Sequence, residues 1–193
     1  MPLPTGVVQK IFEDCGALLS GHFLLTSGLH SERYLQCARV LQWPAHCETL
    51  ARGLREQMEG IKPDLVLSPA LGGIVIGYEV ARLFDCRAIF AERENGTLRL
   101  RRGFEVKPSE KVVVVEDVVT TGGSTAETAR LAGTLGGQVL AAASIIDRSG
   151  GQVSLDVPFF TLWSLSVPTF RPENCHLCQS GSQPVKPGSR SRA

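Results

Sequence analysis

Residues 112–125 read VVVVEDVVTTGGST. The four consecutive valines predict a strand that is buried on both faces, as in the interior of a parallel sheet. Two acidic residues, Glu116 and Asp117, follow the valines, and ligands of open α/β sheets bind at the carboxyl ends of the strands. This stretch therefore predicts both a parallel sheet and the edge of that sheet where a functional site lies.

The segments around this stretch alternate between strand and helix patterns. Helical apolar spacing over 44–58 is followed by predicted strands at 65–68, 87–91, 112–115, 139–146 and 159–165, with helices at 73–84 and from the 120–124 loop to about 136. Strands separated by helices predict an α/β fold, with a mostly parallel central sheet flanked by helices.

The two ends of the chain have different patterns from its middle. A helix over 7–19 and two short strands at 23–28 and 34–38 predict a helix with a small N-terminal hood over 1–42. The α/β core is expected over 43–171. The tail over 172–193 is rich in Gly, Pro and Ser, and we expect it to be extended or disordered.

Composition excludes several classes of function. The 193 residues include 20 basic and 19 acidic residues, so no global field favours a nucleic-acid or membrane partner. No apolar run approaches the roughly 18 residues that span a bilayer, and no secretory leader is evident, so we expect a cytoplasmic protein. Six scattered cysteines do not indicate a disulfide framework.

The residues after the acidic pair predict a phosphate site. Glycines let a phosphate approach the backbone amides at a helix start, and hydroxyls are available at Thr120, Thr121, Ser124 and Thr125. Ser124 and Glu127 have the spacing of a capping box. The motifs of P-loop ATPases, dinucleotide-binding folds and serine-hydrolase elbows are absent from the sequence.

The carboxylates of Glu116 and Asp117 need a partner other than phosphate. Sugar hydroxyls or a hydrated Mg²⁺ would suit them, since Mg²⁺ keeps several waters and takes one or two carboxylates. A phosphorylated sugar would occupy both the acidic pair and the phosphate loop.

The 112–125 stretch resembles the phosphoribosyl pyrophosphate (PRPP) motif of type I phosphoribosyltransferases. Other segments resemble the orotate phosphoribosyltransferase branch in particular: GHFLLTSGLHSERY over 21–34 is similar to its hood, SPALGGI over 68–74 to its pyrophosphate loop, and DRSGG over 147–151 to its orotate-contacting segment. The resemblance implies a fold of that type, and it implies the PRPP-binding set Ala70, Leu71, Gly72, Gly73, Glu116, Asp117, Val118, Val119, Thr120, Thr121, Gly122, Gly123 and Ser124.

The same resemblance implies the base site and the reaction. Orotate would contact Thr120, Arg148 and the hood at Ser27 and Gly28, and a guanidinium suits its carboxylate. The implied activity is transfer of 5-phosphoribosyl from PRPP to orotate, giving orotidine 5'-phosphate and pyrophosphate in pyrimidine (UMP) biosynthesis. Magnesium would be held through Glu116 and Asp117, and the enzyme would be a homodimer whose mobile loop serves the neighbouring subunit. Asp117 is also a candidate catalytic residue.

The chain departs from the family pattern at three places. Thr26 and Gly72 stand where lysines are usual, and the loop over 92–104 has arginines instead of a Lys/His-rich run. Four arginines are candidates for binding the leaving pyrophosphate: Arg93, Arg99, Arg101 and Arg102. Asn95-Gly96 could instead form a hairpin turn within a solvated strand pair.

Two other functions are compatible with a PRPP motif. A purine phosphoribosyltransferase would lack the Ser-Gly hood and the Asp-Arg-x-Gly-Gly segment. A noncatalytic PRPP-sensing regulator that binds nucleic acid would need an additional DNA-binding helix pair or a broad basic face.

The CHLC sequence over 175–178 supplies two soft ligands, or three with His176, whereas a closed structural zinc site needs four. No second pair is evident in the sequence. We therefore favour unliganded thiols or a local structural clip, with a zinc ion shared across a dimer or a disulfide as alternatives.

Overall fold

Helices and strands alternate along the residues that the computed structural model describes, 2–25 and 28–186. The strands are β1 (Leu18–Leu24), β2 (His30–Leu35), β3 (Leu65–Pro69), β4 (Arg87–Glu94), β5 (Thr97–Leu100), β6 (Lys111–Val119), β7 (Gln138–Asp147), β8 (Phe159–Ser164) and β9 (Thr169–Phe170). The helices are α1 (Thr5–Asp14), α2 (Ala38–Leu41), α3 (Pro44–Gln57), α4 (Gly73–Phe84), α5 (Gly123–Thr134) and α6 (His176–Gln179), with a 3₁₀ helix at Pro172–Asn174.

The larger sheet has six strands in the order β5-β4-β3-β6-β7-β8. All neighbouring strands are parallel except β5, which pairs antiparallel with β4. Strand β6 lies between β3 and β7, and its valines over 112–115 are fully buried. The α/β fold with a mostly parallel central sheet, predicted from the valine run, is confirmed.

Helices cover both faces of the larger sheet. Val113 and Val115 of β6 belong to the apolar cluster that α1, α3 and α4 share, whereas Val112 packs in a second cluster with Ala132 of α5. This alternation follows from the two-residue period of a strand. Consequently Glu116 and Asp117, at adjacent positions of β6, point toward opposite faces of the sheet.

Helix α1 packs on the larger sheet although the sequence places it beside the hood. The ring of Phe12 meets the ring of Trp163 in β8 edge-on, with centroids 5.9 Å apart. Both side chains are buried in the same apolar cluster. The domain boundaries after residues 42 and 171 stay predictions.

The smaller sheet is the hood, with strand order β1-β2-β9. The C-terminal segment over 172–186 is folded against it: Leu24 N–H donates to Val185 O, and Val185 N–H donates to His22 O, each at 2.8 Å. The prediction of an extended or disordered tail was wrong for these residues, because Cys175 is fully buried and the backbone pairs with β1. The part of that prediction that concerns 187–193 lies outside the described residues.

Strands β4 and β5 form a hairpin in the region where a loop was expected. Asn95 and Gly96 have φ values of 49° and 83°, and positive φ at both central residues is typical of the two-residue turns that join hairpin strands. The alternative interpretation of Asn95-Gly96 as a hairpin turn is therefore the one that the structure adopts. Among the described helices, none has the length and apolar content that crossing a bilayer requires.

Candidate active site

The acidic pair lies inside β6, close to its carboxyl end. The strand continues to Val119, four residues beyond the predicted end at residue 115, because Glu116, Val118 and Val119 remain paired with β7. Glu116 faces α5 and Asp117 faces the N-terminus of α4, as the strand alternation requires.

Glu116 is bound to the first turns of α5. The Thr125 hydroxyl donates a 2.6 Å hydrogen bond to Glu116 Oε2, and the Thr125 side chain is fully buried. Burial raises the pKa of the Glu116 carboxyl to about 7, and the charge of Asp117 adds to this effect. The Thr125 hydrogen bond and the positive charge of Arg93 oppose it. Contrary to the prediction, the Thr125 hydroxyl is therefore not free to bind phosphate.

Asp117 is the more deeply buried acid of the pair, and burial raises its pKa. Its Oδ1 accepts a 2.9 Å hydrogen bond from the N–H of Val118, which opposes that rise, as does a hydrogen bond with the Cys37 thiol. Its carboxylate also lies against Gly72, where an added Cβ would be 2.7 Å from Asp117 Oδ2. A side chain at position 72 would displace this carboxylate.

The loop that follows β6 leads directly into α5. Gly122 has a φ of 78° and is the N-cap of the helix, which begins at Gly123. Thr120, Thr121 and Gly123 are exposed, and a helix start leaves backbone N–H groups without partners inside the helix. This loop therefore offers an anion its backbone amides and the exposed Thr120 and Thr121 hydroxyls, but not the predicted hydroxyl of Thr125.

The predicted capping box is wrong. Because α5 begins at Gly123, Ser124 is already inside the first turn and Glu127 lies too far along the helix to reach the cap. The carboxylate of Glu127 instead accepts a 2.8 Å hydrogen bond from Leu98 N–H and a 2.9 Å ion-paired bond from Arg93 Nη2. Glu127 thus fixes the β4–β5 hairpin to α5.

The segment between β3 and α4 is the predicted pyrophosphate loop. It comprises Ala70, Leu71 and Gly72, and Gly73 begins α4. Ala70 N–H donates to Ala91 O at 2.8 Å, and the Ala70–Leu71 peptide bond is cis. Leu71 is 80% exposed, so the loop is open to solvent next to Asp117.

A cavity of about 520 Å³ separates this loop from the hood side of the molecule. Its lining includes Tyr34, Cys37, Leu71, Gly72, Asp117 and Val118. The cavity is thus bordered by the predicted pyrophosphate loop, by one acid of the predicted ribose site, and by residues at the end of the hood strand β2 and just after it.

Arg148 directly follows β7, beside the end of β6. Its N–H donates to Val119 O at 2.8 Å, and its Nε is buried with no hydrogen-bond partner within 2–25 and 28–186. Burial lowers the pKa of the Arg148 guanidinium, and the nearby Tyr34 and Cys37 counter this effect. A buried donor without a partner costs free energy, which a ligand anion would recover.

Asp147 shapes the turn that contains Arg148. Its two carboxylate oxygens accept hydrogen bonds from Ser149 N–H at 2.7 Å and Gly151 N–H at 3.1 Å. Asp147 is buried, so this turn is fixed from inside the protein.

Sequence reasoning missed Tyr34, Cys37 and Asp147 as parts of the site. Tyr34 is the last residue of the hood-like segment over 21–34, and Asp147 is the first residue of the DRSGG segment. Both could therefore have been identified from these motifs. Cys37 had none, since only the tertiary structure brings its thiol to Asp117. At the tip of the hood, Ser27 lies outside the described residues, and Gly28 N–H donates to Leu25 O at 3.0 Å.

The four candidate arginines differ in how firmly they are held. Arg93 binds Glu127, and Arg102 forms hydrogen bonds of 2.8 and 2.9 Å with Glu92. Arg99 and Arg101 are held more loosely: the Nε of each is 3.8 Å from a carboxylate oxygen of Glu94, and their side chains are 64% and 54% exposed. The structure thus brings Arg93 toward Glu116 and leaves Arg99 and Arg101 on the solvent side of the hairpin.

Known proteins share both the sequence and the architecture of this chain. The family model for the phosphoribosyl transferase domain matches residues 36–169. An orotate phosphoribosyltransferase of Carboxydothermus hydrogenoformans is 55% identical over 187 residues, which cover 95% of this chain and 97% of the relative. The orotate phosphoribosyltransferase of Thermotoga maritima is 49% identical over 184 residues, 95% of this chain and 98% of the relative.

The chain belongs to the orotate phosphoribosyltransferase family. A solved structure agrees: the orotate phosphoribosyltransferase of Aeropyrum pernix superposes with a TM-score of 0.67 at 25% identity, covering 82% of this chain and 93% of that one. The chain is therefore an enzyme of the pentosyltransferase class, as the 112–125 motif indicated.

The structure gives a physical reason for one departure from the usual orotate phosphoribosyltransferase pattern. The family's pyrophosphate loop usually has lysine where this chain has Gly72, and here the Asp117 carboxylate occupies the space that a side chain at that position would need. The departure at Thr26 lies outside the described residues, and the departure in the 92–104 segment falls on the β4–β5 hairpin.

Proposed function

We propose that this enzyme transfers the 5-phosphoribosyl group of PRPP to N1 of orotate, giving orotidine 5'-phosphate and pyrophosphate in UMP biosynthesis. The observation that supports this most directly is that Arg148 Nε, beside the strand that holds the acidic pair, is buried with no hydrogen-bond partner among the described residues. The carboxylate of orotate would accept the hydrogen bond for which this guanidinium has no acceptor among the described residues.

Each part of the site has a role in this proposal. Backbone amides and hydroxyls of Thr120, Thr121, Gly122, Gly123 and Ser124 hold the 5'-phosphate. The backbone amides of Leu71, Gly72 and Gly73 hold the pyrophosphate, whereas the Ala70 amide, which donates to Ala91 O, only shapes that loop. Glu116 and Asp117 bind the ribose hydroxyls, with Val118 and Val119 providing the backbone beside them. Orotate lies near Arg148, Thr120 and the hood at Ser27 and Gly28.

The acidic pair also fits a hydrated Mg²⁺. Burial raises the pKa of both carboxyls in the protein alone, and a nearby cation favours their ionised forms. When bound, Mg²⁺ would neutralise charge on the pyrophosphate, held by Glu116 and Asp117 through water.

Transfer of the phosphoribosyl group needs little general acid or base catalysis. If the bond between C1 of the ribose and pyrophosphate breaks before orotate attacks, the ribosyl centre develops oxocarbenium character. Orotate can then attack as an anion. The protein then positions the two reactants and stabilises the departing charge with preorganised donors. We assign to Asp117, which lines the cavity, the stabilisation of the positive ribosyl centre.

Pyrophosphate departure is assigned to Arg93, Arg99, Arg101 and Arg102. Guanidinium groups bind phosphoryl oxygens in bidentate fashion, and a hairpin that closes over the site would also exclude water.

A homodimer that shares these hairpins between subunits completes the proposal. The exposed apolar residues Trp43, Leu71, Val75 and Tyr78 support such an interface, since they lie on and around α3 and α4, close to the pyrophosphate loop. We place the enzyme in the cytoplasm.

An assay of pyrophosphate release with orotate, uracil, adenine and hypoxanthine tests the proposed reaction. Release that depends on PRPP, Mg²⁺ and orotate is expected. A purine product would instead indicate a purine phosphoribosyltransferase, and no product with any base would indicate a noncatalytic PRPP-binding protein.

Mixing two impaired variants, assayed at an orotate concentration well below saturation, tests the shared hairpin. Arg99→Ala/Arg101→Ala protein and Arg148→Ala protein are expected to recover activity when their subunits exchange, because one site of each mixed dimer then receives an intact hairpin and an intact base pocket. No recovery despite proven subunit exchange would contradict a shared site.

A further inference from the structure

Four potential metal ligands converge between the hood and the C-terminal segment. They are His22, His30, Cys175 and Cys178, and one ligand atom of each lies within 4.8 Å of every other. The two cysteines are those of the CHLC sequence. The expectation that the chain lacks a second pair of ligands was therefore wrong, because two histidines about 150 positions earlier complete the set.

Three separate elements deliver these side chains. His22 is in β1, His30 is in β2, and Cys175 and Cys178 lie before and within α6. Antiparallel pairing places the two histidine rings 4.8 Å apart, and the backbone bonds of Val185 hold the C-terminal segment against β1. The first three of these residues are buried.

The distances between the ligand atoms suit a single tetrahedral ion. His22 Nε2 lies 2.9 Å from His30 Nδ1, 3.6 Å from Cys175 Sγ and 3.7 Å from Cys178 Sγ, and Cys178 Sγ lies 3.2 Å from His30 Nδ1. A zinc ion with its usual bonds to nitrogen and sulfur separates its four ligands by about 3.3–3.8 Å. These four distances lie within about half an ångström of the tetrahedral values, and every pair of ligand atoms lies within 4.8 Å, so shifts of up to about 1 Å would complete the coordination.

The surroundings of His22 favour a metal-binding tautomer. Its Nδ1 lies 3.1 Å from the carbonyl oxygen of Ser182, and a proton on Nδ1 would be donated there. The lone pair of Nε2 then points toward the other three ligands. Metal-binding histidines commonly have such a backbone partner on the second ring nitrogen.

Charge balance also favours a divalent ion at this buried place. Two thiolates and two neutral imidazoles compensate the charge of Zn²⁺, so the complete site is neutral. Binding releases the two thiol protons to solvent. Without metal, the same four groups would be held together by the hydrogen bond between the His22 and His30 rings and by weak thiol–imidazole hydrogen bonds.

We propose that His22, His30, Cys175 and Cys178 bind one structural Zn²⁺ ion that fastens the C-terminal segment to the hood. All four tetrahedral positions are filled by protein, so the ion has no open position for a substrate and serves folding rather than catalysis. The site is independent of the proposed reaction.

His176 provides an internal control for the ligand set. It lies between the two cysteines in sequence, yet its Nε2 is 2.6 Å from Glu32 Oε1 and its side chain is half exposed. A metal held nonspecifically by the CHLC sequence would depend on His176, whereas the proposed site would not.

Metal analysis of protein purified from zinc-containing medium without chelators tests the proposal. We expect about one zinc ion per chain in the wild type and in His176→Ala, and loss of most of that zinc in Cys175→Ser/Cys178→Ser and in His22→Ala. Cys86→Ser, which alters a cysteine outside the cluster, should keep its zinc. Zinc retained by the double cysteine variant would overturn the proposal.

A second measurement uses only the wild-type chain, in case a variant fails to fold. After removal of metal by a chelator, titration with Co²⁺ should produce the intense visible absorption of tetrahedral cobalt with thiolate ligands, saturating at about one equivalent. Zinc should then displace the cobalt, and the zinc-bound chain should have a higher midpoint of thermal unfolding than the metal-free chain. A folded metal-free chain that binds neither ion would refute the site, and a Cys175–Cys178 disulfide would explain that result.

Discussion

The Thr125 hydroxyl donates a 2.6 Å hydrogen bond to Glu116 Oε2, so a fully buried side chain of α5 holds one acid of the proposed ribose site. This bond stabilises the ionised carboxylate, but burial is the stronger effect and raises the pKa of Glu116 to about 7. In the protein without ligand, ionisation of the Glu116 carboxyl is therefore unfavourable.

Stability should fall with rising pH because of Glu116. Between about 4.5 and 7 the folded state keeps a proton that the unfolded state has lost, so the free energy of unfolding falls by up to about 3 kcal/mol over this range. Glu116→Gln should remove this contribution. Urea denaturation at pH 5 and pH 8, without PRPP or Mg²⁺, would measure it.

A control variant and a binding measurement accompany this pH experiment. Glu59→Gln alters an exposed carboxyl and should leave the wild-type slope unchanged. Glu116→Gln should also bind PRPP more weakly, although it is more stable than wild type at pH 8. An unchanged pH slope in Glu116→Gln would show that its carboxyl is not the group responsible.

Arg148→Ala should affect orotate more than PRPP. The KM for orotate is expected to rise about 10- to 100-fold, because a hydrogen bond to a charged group contributes about 1.5–3 kcal/mol. Steady-state kinetics with each substrate varied in turn would separate the two effects. Arg52→Ala, which removes an exposed arginine paired with Glu48 on α3, is the matched control. An unchanged KM for orotate would refute the base-site assignment.

Gly72→Ala should disturb the site by moving Asp117. The added Cβ would lie 2.7 Å from Asp117 Oδ2, so the carboxylate must shift, and we expect a loss of about 10-fold or more in kcat/KM for PRPP. Gly133→Ala is the control, since its Cβ would meet nothing within 4 Å and alanine favours the helix. Normal activity in Gly72→Ala would mean that Asp117 can move without consequence.

Removal of the weakly held arginines should slow the chemical step. Arg99 and Arg101 are less firmly paired than Arg102, because each lies 3.8 Å from a carboxylate oxygen of Glu94 whereas Arg102 Nε lies 2.8 Å from Glu92 Oε2. They are therefore freer to reach pyrophosphate. We expect Arg99→Ala/Arg101→Ala to lower kcat about 10- to 100-fold and Arg102→Ala to lower it less. Single-turnover kinetics would measure this step, and the reverse order of effects would assign the main role to Arg102.

Local sequence was sufficient for the five parallel strands of the central sheet and for the PRPP motif, but not for β5, which lies where a loop was expected. Helix α4 was predicted with its observed bounds, and the buried valines of β6 were identified by their composition. The beginning of α5 was predicted less well, because Gly122 can adopt the left-handed conformation of a cap and thereby displaced Ser124 from that role. A choice between two possible caps depends on backbone geometry, which spacing alone does not specify.

The sequence by itself determined the parallel sheet, the acidic pair and the glycine and hydroxyl loop, because each depends on residues close together in the chain. Only the tertiary structure decided that Cys37 meets Asp117, that Arg148 Nε is buried without a partner among the described residues, and that His22 and His30 face Cys175 and Cys178. Such contacts join residues up to 156 positions apart, and they arise from the packing of whole elements.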